Sequence, residues 1–377
     1  MKTIVKVEPI LLSAPHGDHP RHLPTGLRPT SLVRVECSDG LTGLGESYLG
    51  VYAPMVFKAL IEHFAPYLVG EDPCEISKTI AKVRRQCLWW GWVGASISAL
   101  SAVDIALWDI KGKTERVPVY ELLGGLKQER IELYASGGVD DEREELQREA
   151  REYLDEGYRA LKIRINRHNQ AAERTAWVRE AIGPDVKLMV DAVQSIAAPP
   201  WSSEEALRVG RELEPYRPFW FEEPCGSGDI LGYSTVRQAL RFPIAGGETL
   251  TTVEQFKQFF EADAFGIAQP DATHVGGISE CQEVCALAQR RGIPVALHAW
   301  GSAVSLAANY HVGFATSNCI TLERPALNNP LVEGLSVERF SVREGFLFAP
   351  SAPGLGVKLD DAVVHEFPYR PGSAYQI

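Results

Sequence analysis

A chain of 377 residues, 45% hydrophobic and 23% charged, has the make-up of a soluble globular protein. It is long enough for a barrel of roughly 200–250 residues plus one smaller domain. A formal net charge of −11 argues against nucleic acid as a partner, since phosphate binding needs a basic face. No apolar run reaches the ~18 residues that span a membrane, and seven scattered cysteines, odd in number, point to a reducing, cytoplasmic setting without a disulfide framework.

The first residues, "MKTIVKVEPILLSAPHGD", alternate like a strand over 3–13 and lack the basic start and continuous apolar core of a signal peptide, so residue 1 reads as mature sequence. "SLVRVECSDGLTGLGESY" reads as a hairpin turning at Asp39-Gly40, with Gly43 and Gly45 as turn or bulge glycines rather than a dinucleotide fingerprint. Between these strands, residues 14–29 carry three histidines, two arginines and four prolines. A loop this long inside a compact domain reads as a lid or binding loop. Arg21, His22 and Arg28 are its candidates for an anionic or polyhydroxylated ligand, and Tyr48 and Tyr52 in "YLGVYAP" mark a second lid.

Three helical stretches follow, near 54–66, 74–88 and 91–113, the last suited to burial at a domain junction. Trp89, Trp90 and Trp92 are expected to pack there, and Cys281 and Cys285, four apart on a later helix, to be buried small residues. The first domain is α+β and occupies 1–125. "IELYASGG" at 131–138 is the first strand of a barrel over 126–325, and residues 326–377 lose the period and pack back on the first domain.

The barrel is announced by a series of short apolar segments ending in charged residues: Lys162 and Arg164, then Asp191, Glu222, Glu248, Asp271, His298 and Glu323. From Asp191 onward these ends recur every 23 to 31 residues, with amphipathic stretches such as "EEALRVGRELEPY" between them. A strand of ~5 residues, a helix of ~11 and two short connections need about that length. Repeated strand–helix units build a parallel α/β barrel, whose functional groups stand at the carboxyl ends of the strands.

Asp191, Glu222 and Glu248 on consecutive strands would repel one another unless a cation neutralised them. An all-oxygen set selects a hard ion, Mg²⁺ first, with Mn²⁺ also fitting. Of the adjacent pair Glu222 and Glu223, strand alternation allows one into the mouth, and Glu222 is chosen. Asp271 can fix the tautomer of His298 and raise its pKa, leaving the other ring nitrogen for substrate. Lys162 and Arg164 share a strand face as cations for a substrate carboxylate. Glu323 can share a proton with a developing oxyanion if burial keeps it protonated. The set describes abstraction of a proton next to a carboxylate through an enediolate.

The motifs "LKIRIN", "MVDAVQS", "FEEP", "GGET", "QPDATHVGG", "LHAWGS" and "LERP", with "DIALWDIKGK" and "VYELLGG" before them, resemble the enolase superfamily in its mandelate racemase-like branch over nearly the whole chain. The resemblance implies a modified (β/α)7β TIM-type barrel with an N-terminal α+β capping domain. It also implies Mg²⁺ on Asp191, Glu222 and Glu248, a His298–Asp271 dyad, Glu323 as electrophilic partner, and a homo-oligomer. Two positions depart from the pattern. Arg164 stands where relatives commonly carry a second lysine, and arginine is a poor base; Val193 stands where many carry Asn. One competent base favours dehydration of an aldonate or aldarate to a 2-keto-3-deoxy acid, unless Lys162 supplies the second. A cycloisomerase of a sugar lactone or anhydro-sugar acid comes next, then a racemase or epimerase of a 2-hydroxy acid. A metal-dependent hydrolase is disfavoured, since such sites lean on several histidines.

Overall fold

The computed structural model, which describes residues 2–17, 22–165, 170–336 and 340–376, has a small antiparallel sheet ahead of an eight-stranded barrel. Before the barrel, β1 (Ile4–Pro15), β2 (Leu27–Cys37) and β3 (Thr42–Glu46) form an antiparallel three-stranded sheet in the order β1-β2-β3. Gly40, in the left-handed region at φ 82°, makes the turn between β2 and β3. Gly43 and Gly45 have a different task from the one their spacing suggested. A Cβ on either would drive into the carbonyls of Ala106 and Ala102, so they let β3 lie directly on the helix Ala95–Glu115. That helix is almost wholly buried and is wedged between the capping sheet and the barrel. Ser101 accepts from Gly276 N and Asp104 accepts from Ser279 on the barrel side.

The barrel strands are β4 (Arg130–Ser136), β5 (Ala160–Arg164), β6 (Lys187–Asp191), β7 (Trp220–Glu222), β8 (Ile244–Gly246), β9 (Ile267–Ala268), β10 (Val295–Leu297) and β11 (Cys319–Pro325). Neighbours pair in parallel, and β11 closes on β4 through Leu322↔Leu133 and the next three pairs. Seven helices of nine to thirteen residues connect them, from Arg143–Asp155 to Ala303–Phe314, giving the (β/α)7β order. The interior is filled from below by Tyr134, Met189, Trp220, Ala245, Ile267 and Ala296, so the barrel is a packed core with its polar groups at one rim.

After β11, β12 (Val342–Arg343) and β13 (Phe346–Phe348) add antiparallel to the outer side of β4. The chain then bonds to the first domain: Val119 N donates to Gly354 O, and Ser13 N to Phe367 O. Its last described residues reach both segments read from the sequence as lid candidates, Tyr375 N donating to Val51 O and Gln376 N to His22 O.

Two expectations change, and one falls where nothing is described. The irregular segment is shorter than 14–29, because Ala14 pairs with Arg28 and Pro15 with Leu27; Arg28 is therefore a strand residue. Trp89, Trp90 and Trp92 are not core residues: they are 95%, 50% and 55% exposed, on the turn between two helices, where Trp90 meets His63 edge-on at 5.7 Å. Arg21 lies outside the described residues. All seven cysteines are unpaired, with Cys281 and Cys285 buried. Among the described residues no helix is long and apolar enough to cross a membrane.

Candidate active site

Register places the charged strand ends at one rim. Arg164 pairs with Asp191, and Asp191 with Glu222, so these side chains leave adjacent strands at one level. Lys162 rises from two residues deeper on β5 and is 2% exposed. Its Nζ lies 2.6 Å from Glu222 Oε1, 3.0 Å from Glu323 Oε1 and 3.7 Å from Asp191 Oδ2. Burial opposes its charge, but Glu222 and Glu323 outweigh burial and hold the ammonium well above the usual lysine range. Glu222 Oε2 accepts from Trp220 Nε1 at 2.7 Å and Gln269 Nε2 at 2.8 Å, so both carboxylate oxygens are engaged.

Burial and the neighbouring Glu222 raise Asp191 to about 8 against the pull of Lys162. Burial also raises Glu248. The alternation argument for Glu222 over Glu223 fails locally, because Glu223 adopts φ 45° in the left-handed region. Its side chain is buried, Oε2 accepts from Ser195 Oγ, and Oε1 has no hydrogen-bonding partner. Burial, Glu248 and Asp191 together push Glu223 well above the usual carboxylate range.

His298 ends the segment after β10. Its Nδ1 lies 2.7 Å from Asp271 Oδ2, and its Nε2 points at Glu248 (3.5 Å) and Glu323 (3.9 Å). Asp271 is fixed through its other oxygen by Thr273 N (2.7 Å), Thr273 Oγ1 (2.8 Å) and Asn309 Nδ2 (2.9 Å). An anionic Asp271 requires the proton on Nδ1, which leaves Nε2 as the exchanging nitrogen. Burial works against the imidazolium, but Glu248, Glu323 and Asp271 raise His298 to about 10. Glu323 differs from the protonated acid that burial alone would give. Lys162 and His298 overcome burial and lower it to about 2, while Oε2 accepts from Ala299 N at 2.8 Å.

The second layer comes from the capping domain. Arg164 stacks its guanidinium 4.2 Å above Trp300, and Arg28 donates from Nη2 to Trp300 O. Glu46, at the end of β3, holds the following turn by accepting from Ser302 Oγ (2.6 Å) and Ser305 N (2.9 Å). Tyr48 stands edge-on to His298 at 5.3 Å and near Tyr52 at 6.0 Å. His22 lies farther out, stacked on Tyr375 at 5.0 Å, and Tyr375 also meets Tyr52 at 5.4 Å. From the sequence, Glu223 was weighed against Glu222 and set aside, and Gln269, His274, Trp300 and Tyr375 were not singled out. His274 had a usable signal, three residues after Asp271 on the same strand tip; its Nδ1 lies 2.8 Å from Ser98 Oγ. Tyr375 had none, being far away along the chain.

With this geometry in view, two family models divide the chain. Residues 15–124 match the mandelate racemase / muconate lactonizing enzyme N-terminal domain, and 145–363 the enolase C-terminal domain-like family. The chain belongs to the enolase superfamily. Among its relatives, D-galactarolactone cycloisomerase of Agrobacterium fabrum is 34% identical over 351 residues, covering 89% of this chain and 90% of that one. Arabinonate dehydratase of Saccharolobus solfataricus is 33% identical over 340 residues, covering 89% of each. The crystal structure of a racemase from Streptomyces coelicolor with bound magnesium superposes with TM-score 0.84 at 29% identity, covering 96% of this chain and 99% of that one. The first two relatives fall in the lyase and isomerase classes read from the sequence.

Among the described residues, no three His, Cys, Asp or Glu side chains close around one point as ligands would; Lys162 stands between the carboxylates instead. The donor chemistry nevertheless fits a hard divalent cation. Oxygens of Asp191, Glu222, Glu223, Glu248 and Glu323 crowd one buried rim against Lys162 and His298, and Glu223 Oε1 is left unpartnered. Such an excess of buried carboxylate is what a cation relieves.

Proposed function

We propose that this chain removes the proton next to the carboxylate of an acid sugar and expels the neighbouring hydroxyl, giving a 2-keto-3-deoxy acid. The observation that carries the proposal is the His298–Asp271 pair at 2.7 Å, with Nε2 turned toward the rim and, among the described residues, no second neutral base opposite. Arg164 stays protonated, and Lys162 is held as an ammonium by Glu222 and Glu323. One base suffices for elimination. Neutral His298 takes the α-proton at Nε2; the electron pair left on carbon forms the carbon–carbon double bond of an enol as the C3–O bond breaks. His298 returns the proton to the departing hydroxyl, water leaves, and the enol tautomerises to the keto acid.

Asp191, Glu222 and Glu248 would hold a magnesium ion, with Mn²⁺ also fitting, that polarises the substrate carboxylate and makes the α-proton more acidic. Lys162 and Arg164 would bind the same carboxylate, and Tyr48 and Tyr52 would shield the site from water. Glu323, being ionised beside Lys162, would orient that ammonium.

A second reading is favoured by the relative that is a cycloisomerase at 34% identity. The same abstraction, with a ring oxygen as leaving group, opens a sugar lactone or anhydro-sugar acid. A panel of acid sugars and their lactones, incubated with Mg²⁺ in deuterated water, separates the readings. Keto acid formed with loss of water supports dehydration, and isomerisation at constant mass supports ring opening. Deuterium wash-in with neither product supports an epimerase. No exchange from any acid would sink the proton-abstraction reading.

A further inference from the structure

Among the described residues, Arg28 is a buried cation without an anion. It is 2% exposed, and its one hydrogen bond to them runs from Nη2 to the carbonyl of Trp300. Among the same residues Nε and Nη1 have no hydrogen-bonding partner, and no carboxylate forms an ion pair with Arg28. Glu46 is the acid whose charge it feels, yet Glu46 spends its oxygens on Ser302 and Ser305. The Tyr48 ring, 5.8 Å from Arg28 Cζ, offers only weak compensation. Buried charges in proteins are ordinarily paired, and buried donors ordinarily bonded.

What lies beside Arg28 is the reaction centre. Its Cζ is 5.8 Å from the Tyr48 ring centre, which is 5.3 Å from that of His298, so Arg28 lies within about 11 Å of the imidazole. An extended carbon chain advances roughly 1.2 Å per bond, which puts the two carboxyl carbons of a six-carbon diacid about 6 Å apart. Hydrogen bonds at each end fill the remainder. Lys162 and Arg164 serve the reacting end, Arg164 on the Trp300 ring, while Arg28 comes from the capping sheet and meets Trp300 at its backbone carbonyl.

We propose that the substrate is a diacid sugar, an aldarate of five or six carbons, whose distal carboxylate takes one unpartnered edge of Arg28, Nε or Nη1 together with the second hydrogen of Nη2. The proposal rests on the acid-sugar reading above and narrows it: an aldonate ends in a neutral hydroxymethyl group and would leave this guanidinium buried and unpaired. Bidentate geometry suits arginine to a carboxylate, and discrimination against a ligand lacking it is correspondingly steep.

The test is kcat/KM for each six-carbon aldarate beside the aldonate of the same configuration, with Mg²⁺, for the wild type, Arg28→Gln and Arg28→Lys. Unpairing a buried charge costs on the order of 100-fold or more. The wild type should therefore favour one aldarate over its aldonate by about that factor. Arg28→Gln should bring the ratio close to one, and Arg28→Lys should retain part of it. An aldonate turned over as well as its aldarate by the wild type, or an unchanged ratio in Arg28→Gln, overturns the proposal. Should Arg28→Gln fail to fold, the wild-type ratio decides alone. α-Proton exchange in deuterated solvent separates the two levels. If neither class exchanges, the acid-sugar reading falls and takes this inference with it; if aldonates exchange freely, only the diacid inference falls.

Discussion

His298 and His311 stand thirteen residues apart, one at the end of a barrel strand and the other on the helix that follows it, and both are buried. His298 is raised to about 10, whereas His311 is lowered to about 4. His311 stacks on Tyr120 at 5.6 Å, accepts at Nδ1 from Tyr120 N at 3.2 Å, and has no acid beside it among the described residues, so burial outweighs the one opposing influence, a backbone hydrogen bond with Leu355. His298 loses as much water but faces Glu248, Glu323 and Asp271. Burial sets the stakes for a histidine; the surrounding carboxylates set the sign. A structural imidazole kept neutral and a reactive one kept charged thus arise within one strand–helix unit.

The largest way to break this contrast is His298→Asn, which keeps a donor for Asp271 but removes the proton carrier. Turnover and α-proton exchange should fall by roughly 10³–10⁴-fold, with Mg²⁺ affinity, read by calorimetry, not weakened, since a charge that opposes the ion has been removed. Asp271→Asn is the smaller lesion, about 100-fold in kcat. It should also lower the His298 pKa, since one of its three acids is gone; retention of full activity would refute the assigned pairing.

On the structural side, His311→Asn keeps an acceptor for Tyr120 N and removes a titration. The folded pKa of His311 lies below its ordinary 6.5, so the unfolded chain binds more protons between about 6.5 and 4. Its contribution to stability is present above pH 6.5 and lost as pH falls toward 4, amounting to about 3 kcal/mol. Asp104, raised to about 7 by burial, works in the opposite direction across the whole of that range. The comparison is therefore wild type against His311→Asn, by urea unfolding at pH 7 and pH 4.5. The wild type should lose more stability than the variant between these two values, and equal losses would remove the neutral-histidine account.

The barrel was legible in the sequence because its strand–helix period and its charged strand ends repeat at the spacing the fold requires. The Asp271–His298 contact followed from adjacency of strands, which the barrel order fixes. Glu223 was not legible, since strand alternation presumes extended backbone and residue 223 is left-handed. Nor was the position of Lys162: a long flexible stem on β5 can end at several carboxylates, and packing decides which. Hydropathy assigned Trp89, Trp90 and Trp92 to a core, but the turn that carries them faces outward. The ionised state of Glu323 depends on two cations arriving from other strands, and no local pattern reports that. Arg28 was read as a loop residue until pairing with Ala14 placed it on a strand, which gives its guanidinium a fixed approach to the rim.

The central claim is that this rim holds more buried carboxylate than its own cations offset, and that a divalent ion must enter before His298 can act as a base. NMR titration of His298 in the wild type, with and without saturating Mg²⁺, tests it directly. Without the ion His298 should titrate near 10. With Mg²⁺ its pKa should fall by roughly two units or more, as the ion neutralises Glu248 and its neighbours. A His298 pKa that stays the same on adding Mg²⁺ would contradict the account.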